Sequence, residues 1–324
     1  MIASMLRTPL RISVLGGTGF VGQALVERLV ADGHDVTVIS RNHARHLERQ
    51  LPPNAAIRDC DEYDPAALAN ALRGSNVAIN LVGILNETGG FGRNDSGRGF
   101  QRAHVELTRA LLAACNEAGV TRLLQMSALN AGRGRSHYLR TRGEAEDLVK
   151  ASTLDWTIFQ PSVIFGPGDG LFCRFAALLK IAPVLPLARA SAKFAPVFLG
   201  DVVEAFRRAL NDAGSVRQTY ELYGPDIVTL AGIVRMTARQ LGLRRLVVPL
   251  PDALGRMQAF AMDFVPGKPF SSDNFRSLLT DSVGGIDGLH RLGIVPTRMS
   301  AILPDILGNS DDRQARLDRY RARP

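Results

Sequence analysis

Tyr138 and Arg142 lie four positions apart in a stretch, residues 136–144, that reads as the start of a helix. Side chains at this spacing lie on the same side of a helix. A fixed positive charge beside a phenol favours the ionised form, so Tyr138 can act as an acid or base near neutral pH. Ser127, at the end of a predicted strand, can hold a substrate oxygen. The alternative is that the Tyr–Arg pair lies on an ordinary solvated helix surface.

A glycine-rich turn near the N-terminus has the form of a phosphate-binding site. Gly16, Gly19 and Gly22 follow the apolar run 12–15 and precede a helical pattern over 20–31. Glycines let the backbone approach a pyrophosphate without an obstructing Cβ, and the helix N-terminus offers N–H groups to the phosphates. A turn without a ligand is the alternative, but the strand–turn–helix order favours a dinucleotide.

The end of the second predicted strand, residues 35–40, indicates which dinucleotide binds. NAD-binding proteins usually carry a carboxylate there for the ribose hydroxyls. This chain has Ser40 and Arg41, followed by Asn42. A guanidinium presents paired donors that match a phosphate. We therefore predict NADP(H), with NAD(H) and a purely surface role for Arg41 as alternatives.

The order of strand and helix patterns predicts the fold that positions these residues. Strand patterns at 10–15, 35–40, 55–58, 76–82 and 121–126 alternate with helical patterns at 20–31, 65–72 and 100–119. Such alternation predicts a Rossmann-type α/β fold, a doubly wound parallel sheet with helices on both faces. Ligands of such sheets bind beyond the C-terminal ends of the strands, where the candidate polar residues fall.

We predict three regions along the chain. Residues 1–165 form an NAD(P)-binding Rossmann domain, with returning segments near 195–225. Residues 166–310 form a smaller, mostly helical lobe on the substrate side, and residues 311–324 form a basic tail. Residues 180–197, rich in Pro and Ala, are expected to be a loop.

Composition limits the class of protein. The 324 residues are 46% hydrophobic and 22% charged, which is typical of a soluble globular protein with a sizeable core. Three widely spaced cysteines suggest neither a disulfide framework nor a zinc site, so we expect no metal and a cytoplasmic location. We expect neither a signal peptide nor a membrane span. The net charge of +8 is compatible with anionic partners, but no motif indicates nucleic acid.

These motifs together resemble the short-chain dehydrogenase/reductase superfamily, in its extended or atypical branch that includes epimerase/dehydratase-like proteins. The glycine spacing of the turn has that superfamily's form, and Ser127 and Tyr138 match its catalytic serine and tyrosine. The resemblance implies three catalytic residues: Tyr138, Ser127 and Arg142. It implies that the dinucleotide contacts these residues: Gly16, Thr18, Gly19, Phe20, Val21, Ser40, Arg41, Asn42, Asp59, Cys60, Leu81, Val82, Gly83, Met126, Tyr138, Arg142, Pro161, Val163 and Ile164.

Within that branch the chain is similar to the nucleotide-binding accessory subunits of respiratory complex I and their bacterial relatives. The segments that carry this similarity are 80–85, 138–141, 172–175 and 183–186. The resemblance implies tightly held NADPH, with or without turnover. It also makes a membrane complex a candidate partner. The protein would then be peripheral to the inner face of the membrane.

Two positions depart from the family pattern. Arg142 stands where the family has a lysine, and His104 stands where the extended branch usually has an asparagine. Both changes affect proton transfer more directly than they affect cofactor binding.

Two further segments are candidates for surface roles. Residues 251–265 are amphipathic, with Leu254, Met257, Phe260, Ala261 and Phe264 on one stripe. We expect this stripe to pack in the core, with a membrane-surface or partner helix as the alternative. The glycine-rich stretch 86–99 is either a lid over the site or a surface loop, and the basic tail is either solvated or in contact with anionic lipid.

Two functions therefore stay open from the sequence. The first is an NADP(H)-dependent oxidoreductase or epimerase-like enzyme acting on an unidentified small molecule, with Tyr138 as its acid or base. The alternative is an accessory or assembly subunit of a respiratory membrane complex that holds NADPH without turning it over.

Overall fold

A computed structural model describes residues 9–41, 51–87, 97–265 and 268–307. The strands are β1 (Arg11–Leu15), β2 (Asp35–Ser40), β3 (Ala56–Asp59), β4 (Val77–Asn80), β5 (Arg122–Met126), β6 (Asp155–Pro161), β7 (Ile164–Phe165), β8 (Val184–Ala188), β9 (Lys193–Phe194), β10 (Val197–Phe198), β11 (Gln218–Leu222), β12 (Val228–Thr229) and β13 (Leu246–Leu250). The helices are α1 (Phe20–Ala31), α2 (Pro65–Leu72), α3 (Arg98–Phe100), α4 (Leu107–Ala118), α5 (His137–Lys150), α6 (Phe172–Ile181), α7 (Leu199–Asn211), α8 (Leu230–Gln240), α9 (Asp252–Met262), α10 (Ser272–Ser277), α11 (Gly288–Arg291) and α12 (Met299–Leu307).

The main sheet has seven parallel strands in the order β11–β6–β5–β4–β1–β2–β3. The order reverses direction between β1 and β4, which is where doubly wound sheets bind their ligands. The predicted fold class, a doubly wound Rossmann-type sheet, is confirmed. Among the residues that the structure describes, no helix is both long and apolar enough to cross a membrane.

Helices cover both faces of the sheet because successive strand residues point to opposite faces, and the side chains on both faces are apolar. On β1, Ile12 and Val14 join a core with α1 and α7, whereas Leu15 joins a core with α2 and α4. Each such fully buried aliphatic side chain contributes about 1.5–3 kcal/mol. A third core lies under α6, α8 and α12.

One expectation about local structure was wrong, and another was right with a difference in detail. Residues 180–197 contain two strands, because β8 pairs in parallel with the distant β13 and β9 pairs with β12. The long helix expected from residue 100 begins with α3 and continues through a π-helical turn, Gln101–Glu106, before α4. The stretch 88–96, the residues 42–50 and the tail 308–324 lie outside the described residues.

Candidate functional site

The glycine turn between β1 and α1 forms a backbone cradle. Gly16 has a φ of +76°, which favours glycine, and its carbonyl accepts a hydrogen bond from the Gly19 N–H at 3.0 Å. A Cβ on Gly22 would overlap the Gly16 carbonyl oxygen, so α1 can begin directly against the turn. Gly19 caps α1 without a side-chain hydrogen bond. The first-turn N–H groups, which include those of Phe20 and Val21, therefore suit a pyrophosphate, and Thr18 lies buried in the same turn.

The end of β2 carries Arg41 in a pre-existing ion pair. Its side chain is 61% exposed, and Nε lies 3.5 Å from the buried carboxylate of Glu62. Burial outweighs the attraction of Arg41 and raises the pKa of Glu62 to about 7. The guanidinium also lies 5.9 Å from the Tyr63 ring, which Arg102 covers from 4.4 Å. Sequence reasoning did not find Glu62, Tyr63 or Arg102 beside the predicted phosphate site.

The end of β3 lies beside this position. Asp59 is opposite Ser40 in the strand register, and the Cys60 N–H donates to the Ser40 carbonyl at 3.0 Å. The structure therefore brings these three predicted residues together with Arg41. Asn42, also predicted to contact the dinucleotide, lies outside the described residues.

The loop after β4 passes against the glycine turn. The Leu81 N–H donates to the Leu15 carbonyl at 3.0 Å, and the loop backbone lies so close to Gly16 that a Cβ there would be 3.1 Å from Leu81 and Val82. The buried Asn80 side chain accepts a hydrogen bond from the Val82 N–H at 3.1 Å. Asn80 also donates to Gln125 on β5, so a buried polar pair fixes the loop position.

Arg142 reaches this loop from α5. Its Nη1 donates to the carbonyl of Met126 at 3.0 Å and to that of Val82 at 3.3 Å. Nη2 lies where a Cβ on Gly83 would be, so Gly83 leaves room for the guanidinium. The guanidinium carbon lies 5.7 Å from the centre of the Tyr138 ring. The structure thus brings Tyr138, Arg142 and the predicted cofactor loop together.

His104 packs against Tyr138 in its uncharged form. Burial, and secondarily the charge of Arg142, lowers the pKa of His104 to about 2. The Ile84 N–H donates to Nε2 at 3.4 Å, which leaves the proton on Nδ1, 2.9 Å from Oγ1 of Thr141. The ring meets the Tyr138 ring edge-on at 5.6 Å. The uncharged His104 ring therefore forms one side of the surroundings of Tyr138.

The hydroxyl group of Ser127 donates a hydrogen bond to a carboxylate. Its Oγ donates to Oε1 of Glu146 at 2.6 Å. Glu146 is buried and also accepts from Gln160 at 2.7 Å and from Lys150 at 2.9 Å. Sequence reasoning missed Glu146, although its spacing of four from both Arg142 and Lys150 was a usable signal. Ser127 retains lone pairs that can accept a hydrogen bond.

Two further segments complete the site. The carbonyl of Pro161, at the end of β6, accepts from the Leu129 N–H at 2.9 Å. This bond joins the segment after β6, which is predicted to contact the dinucleotide, to the loop after Ser127. Val163 and Ile164 are half-buried in that segment. Asp273 of α10 accepts from the N–H groups of His137 and Tyr138 at 2.7 and 3.1 Å. The distant Asp273 therefore fixes the first turn of α5.

The fold and the cradle define an NAD(P)-binding protein of the short-chain dehydrogenase/reductase type. A family model described as NAD(P)H-binding matches residues 16–170, which span the glycine turn, Tyr138 and Pro161. The fold of this chain is of the epimerase/dehydratase-like type found in the extended branch of this superfamily.

Curated relatives include both respiratory subunits and a reductase. The chain is 29% identical over 305 residues to subunit 9 of the NADH dehydrogenase [ubiquinone] 1 alpha subcomplex, mitochondrial, from Arabidopsis thaliana, covering 89% of this chain and 74% of the relative. It is 27% identical over 249 residues to a ceramide reductase from Caulobacter vibrioides, covering 74% of each chain. A solved NADPH-dependent quinone oxidoreductase from Escherichia coli, complexed with NADPH, has the same fold with a TM-score of 0.68 at 22% identity, covering 90% of this chain and 97% of that one.

Proposed function

We propose that the protein is an NADP(H)-dependent oxidoreductase or epimerase-type enzyme that transfers a hydride to or from a small molecule. The observation that carries this proposal is the position of Tyr138. Its ring lies beside the Arg142 guanidinium, which is bonded to the loop after β4. An acid–base group and a fixed cation therefore lie at the sheet edge where a dinucleotide enters.

The proposed cofactor preference rests on Arg41. Its exposed guanidinium lies at the end of β2, where the described residues Ser40 and Arg41 themselves supply no carboxylate for the two ribose hydroxyls. A 2′-phosphate would draw Arg41 from Glu62, whose carboxylate competes for the same donors. NAD(H) stays the alternative cofactor, because Glu62 is itself an acceptor near this position.

The chain's own groups would handle the proton. When bound, the reduced nicotinamide supplies the hydride that forms the new C–H bond at a carbonyl carbon. The Tyr138 phenol then gives its proton to the carbonyl oxygen to complete the alcohol, and solvent returns a proton to the phenolate. The guanidinium of Arg142 would stay beside the ring as a fixed positive charge. The Ser127 hydroxyl donates to Glu146, so Ser127 would accept a hydrogen bond from the hydroxyl of the alcohol and would not donate one to the carbonyl.

The replacement Tyr138→Phe tests this proposal. It removes the phenolic proton and keeps the ring against His104, so we expect turnover with a panel of carbonyl substrates to fall by at least about a hundredfold. The dissociation constant for NADPH should change by less than about threefold. Tyr223→Phe, a substitution of a tyrosine outside the site, is the matched control. Turnover that survives Tyr138→Phe would contradict the proposal.

A second function is favoured by a different observation. Ser127 gives its proton to Glu146, and His104 is neutral where the extended branch has its asparagine relay. A site arranged in this way can hold NADPH without turning it over. The protein would then be an accessory or assembly subunit of a respiratory membrane complex, in line with its similarity to the subunit 9 proteins.

The two functions give different results in two measurements. NADPH raises the melting temperature in either case, but a holding subunit transfers no hydride to any substrate and co-purifies with membrane subunits. Recovery of no partner from native membranes would contradict this second function. We propose a cytoplasmic location for the enzyme and a location at the inner membrane face for the subunit.

A further inference from the structure

Helix α9 is apolar on the side that faces away from the protein. Its inward side consists of Gly255 and Ala259, and a Cβ on Gly255 would lie 3.0 Å from both Ala188 and Phe275. The opposite side carries Leu254, Met257, Phe260 and Phe264, which are 46%, 63%, 47% and 45% exposed. The sequence-based expectation that this stripe packs in the core is therefore wrong. Its small residues face the core and its large residues face outward.

The sheet of β8 and β13 extends this apolar surface. Val184 pairs with Leu246 and Pro186 pairs with Val248, and all four are exposed. Parallel partners lie on the same side of a sheet, so these residues form one open face. Ala188, which lies on the same side as Pro186, contacts α9. Gln258 of α9 donates to the Pro186 carbonyl at 3.3 Å.

The open sheet side and the outer side of α9 are therefore continuous, and we call them the apolar face. Its principal residues are Leu246, Val248, Leu254, Met257, Phe260 and Phe264. A contiguous apolar surface of this kind marks an interaction site, because isolated soluble proteins rarely leave one in water.

Exposed cations lie on or just before the elements that form the apolar face, with Lys180 before β8, Arg244 before β13 and Arg256 on α9. Lys180, Arg244 and Arg256 are exposed, and none of them forms an ion pair with a carboxylate of the described residues. Asp252 of α9 and Asp263, which follows the helix, are both engaged elsewhere. Asp252 pairs with Arg189 at 3.2 Å, and the buried Asp263 accepts from Ser272. Apolar side chains with a cationic rim complement the interface of a bilayer that contains anionic lipid.

Prolines argue against an added strand as the occupant. Pro186 and Pro249 lack the backbone N–H that a partner strand would bond, so neither β8 nor β13 offers a complete edge. The face is formed by the outer side of a helix and an open sheet surface, which suits shallow insertion rather than capture of a helix in a groove.

We infer that the apolar face docks the protein on an anionic phospholipid bilayer, with α9 lying in the plane of the membrane interface. Phe260 and Phe264 insert among the acyl chains, while Arg256 and Lys180 contact the headgroups. This inference does not depend on the proposed enzymatic function. It places the membrane one helix away from Tyr138, because α10 follows α9 and its Asp273 holds the start of α5.

Vesicle co-sedimentation of the full-length protein tests the inference. We expect binding to vesicles of phosphatidylcholine with phosphatidylglycerol, weaker binding to phosphatidylcholine alone, and a decrease as salt screens the headgroup attraction. The double variant Met257→Asp with Phe264→Asp should lower the partition coefficient at least about tenfold, because carboxylates are costly among acyl chains and are repelled by anionic lipid. Both side chains are exposed, so the fold should be unaffected.

A matched pair of valine substitutions provides the control. Val265→Asp changes a residue next to Phe264 that is 44% exposed, whereas Val295→Asp changes a residue beyond α11 that is 80% exposed. Val265→Asp should weaken vesicle binding and Val295→Asp should not. All variants should keep the wild-type melting temperature in the presence of NADPH, which confirms their folding.

Three results would overturn the inference. The first is wild-type protein that ignores anionic vesicles. The second is binding that the double variant retains in full, since the attraction would then come from elsewhere in the basic chain. The third is a wild-type dimer that Met257→Asp with Phe264→Asp dissociates in the absence of vesicle binding, because the face would then join two copies of the chain.

Discussion

Replacing Gly83 with alanine places a methyl group where the Arg142 guanidinium lies. The added Cβ would overlap Nη2 and would lie 2.9 Å from the guanidinium carbon. Atoms of this kind are in contact at about 3.5 Å, so the guanidinium or the loop must move by more than an ångström. That movement breaks at least one of the hydrogen bonds from Nη1 to the carbonyls of Met126 and Val82.

The cost follows from these two bonds. A hydrogen bond to a charged group is worth about 1.5–3 kcal/mol. Gly83 is exposed, so the loop can yield and keep one of the two bonds. We therefore expect Gly83→Ala to lower the free energy of unfolding by about 2–3 kcal/mol. Affinity for NADPH should fall at least about tenfold, which corresponds to about 1.4 kcal/mol.

Urea denaturation and calorimetric titration with NADPH measure both effects. Gly285→Ala is the matched control, because a Cβ on Gly285 meets no atom within 4 Å. It should change the free energy of unfolding by no more than about 0.5 kcal/mol. If Gly83→Ala is as stable as Gly285→Ala and binds NADPH with wild-type affinity, the assigned position of Arg142 in the cofactor site is wrong.

Three other substitutions have expected outcomes. In calorimetric titration, Arg41→Ala should lower the affinity for NADPH at least about tenfold and that for NADH by less than about twofold, because the 2′-phosphate loses a paired donor. Glu62 has its pKa raised to about 7 in the folded protein, so the folded state keeps a proton that the unfolded chain releases above about 4.5. Stability should therefore fall by up to about 3 kcal/mol between pH 5 and about 8, and Glu62→Gln should remove that dependence in melting-temperature measurements. Glu146→Gln should lower the free energy of unfolding by about 1–3 kcal/mol in urea denaturation. The neutral amide accepts weaker hydrogen bonds from Ser127 and Lys150 than the carboxylate does.

Arg41→Ala and Glu146→Gln have matched controls elsewhere in the chain. Arg28→Ala removes an exposed arginine of α1 and should leave the affinities for both dinucleotides unchanged. If Arg41→Ala lowers the affinities for NADPH and NADH equally, the assignment of Arg41 to the 2′-phosphate is contradicted. A wild-type melting temperature that rises from pH 5 to about 8 would contradict the reasoning for Glu62. Glu144→Gln changes an exposed acid of α5, and it should be nearly neutral where Glu146→Gln is not.

Local signals were sufficient for the parts of the fold that hold the dinucleotide. The predicted bounds of β2, α1 and α2 agree with the structure, because glycine, proline and apolar spacing determine these elements within a few residues. The edge that gathers Gly16, Ser40, Gly83 and Ser127 follows from strand order alone, since all these strands are parallel.

Long-range contacts were beyond local signals. Asp273 holds the first turn of α5 from 135 residues away, and no spacing rule connects the two. The strand β8 forms only because β13 pairs with it, so its proline-containing sequence suggested a loop. In α9, helical spacing showed a stripe but not which side met the core. The pair Gly255 and Ala259 was the available signal, because close helix–sheet packing needs small residues.

The nucleotide that remains bound to the purified protein is the most direct test of the proposed NADP(H) site. Protein isolated without added cofactor would be denatured, and the released small molecules identified by absorbance and mass. We expect NADPH or NADP⁺, held by the glycine turn and Arg41. Release of NADH or NAD⁺ would contradict the assignment of Arg41, and a purified protein that carries no dinucleotide and binds none on titration would contradict the assignment of the site.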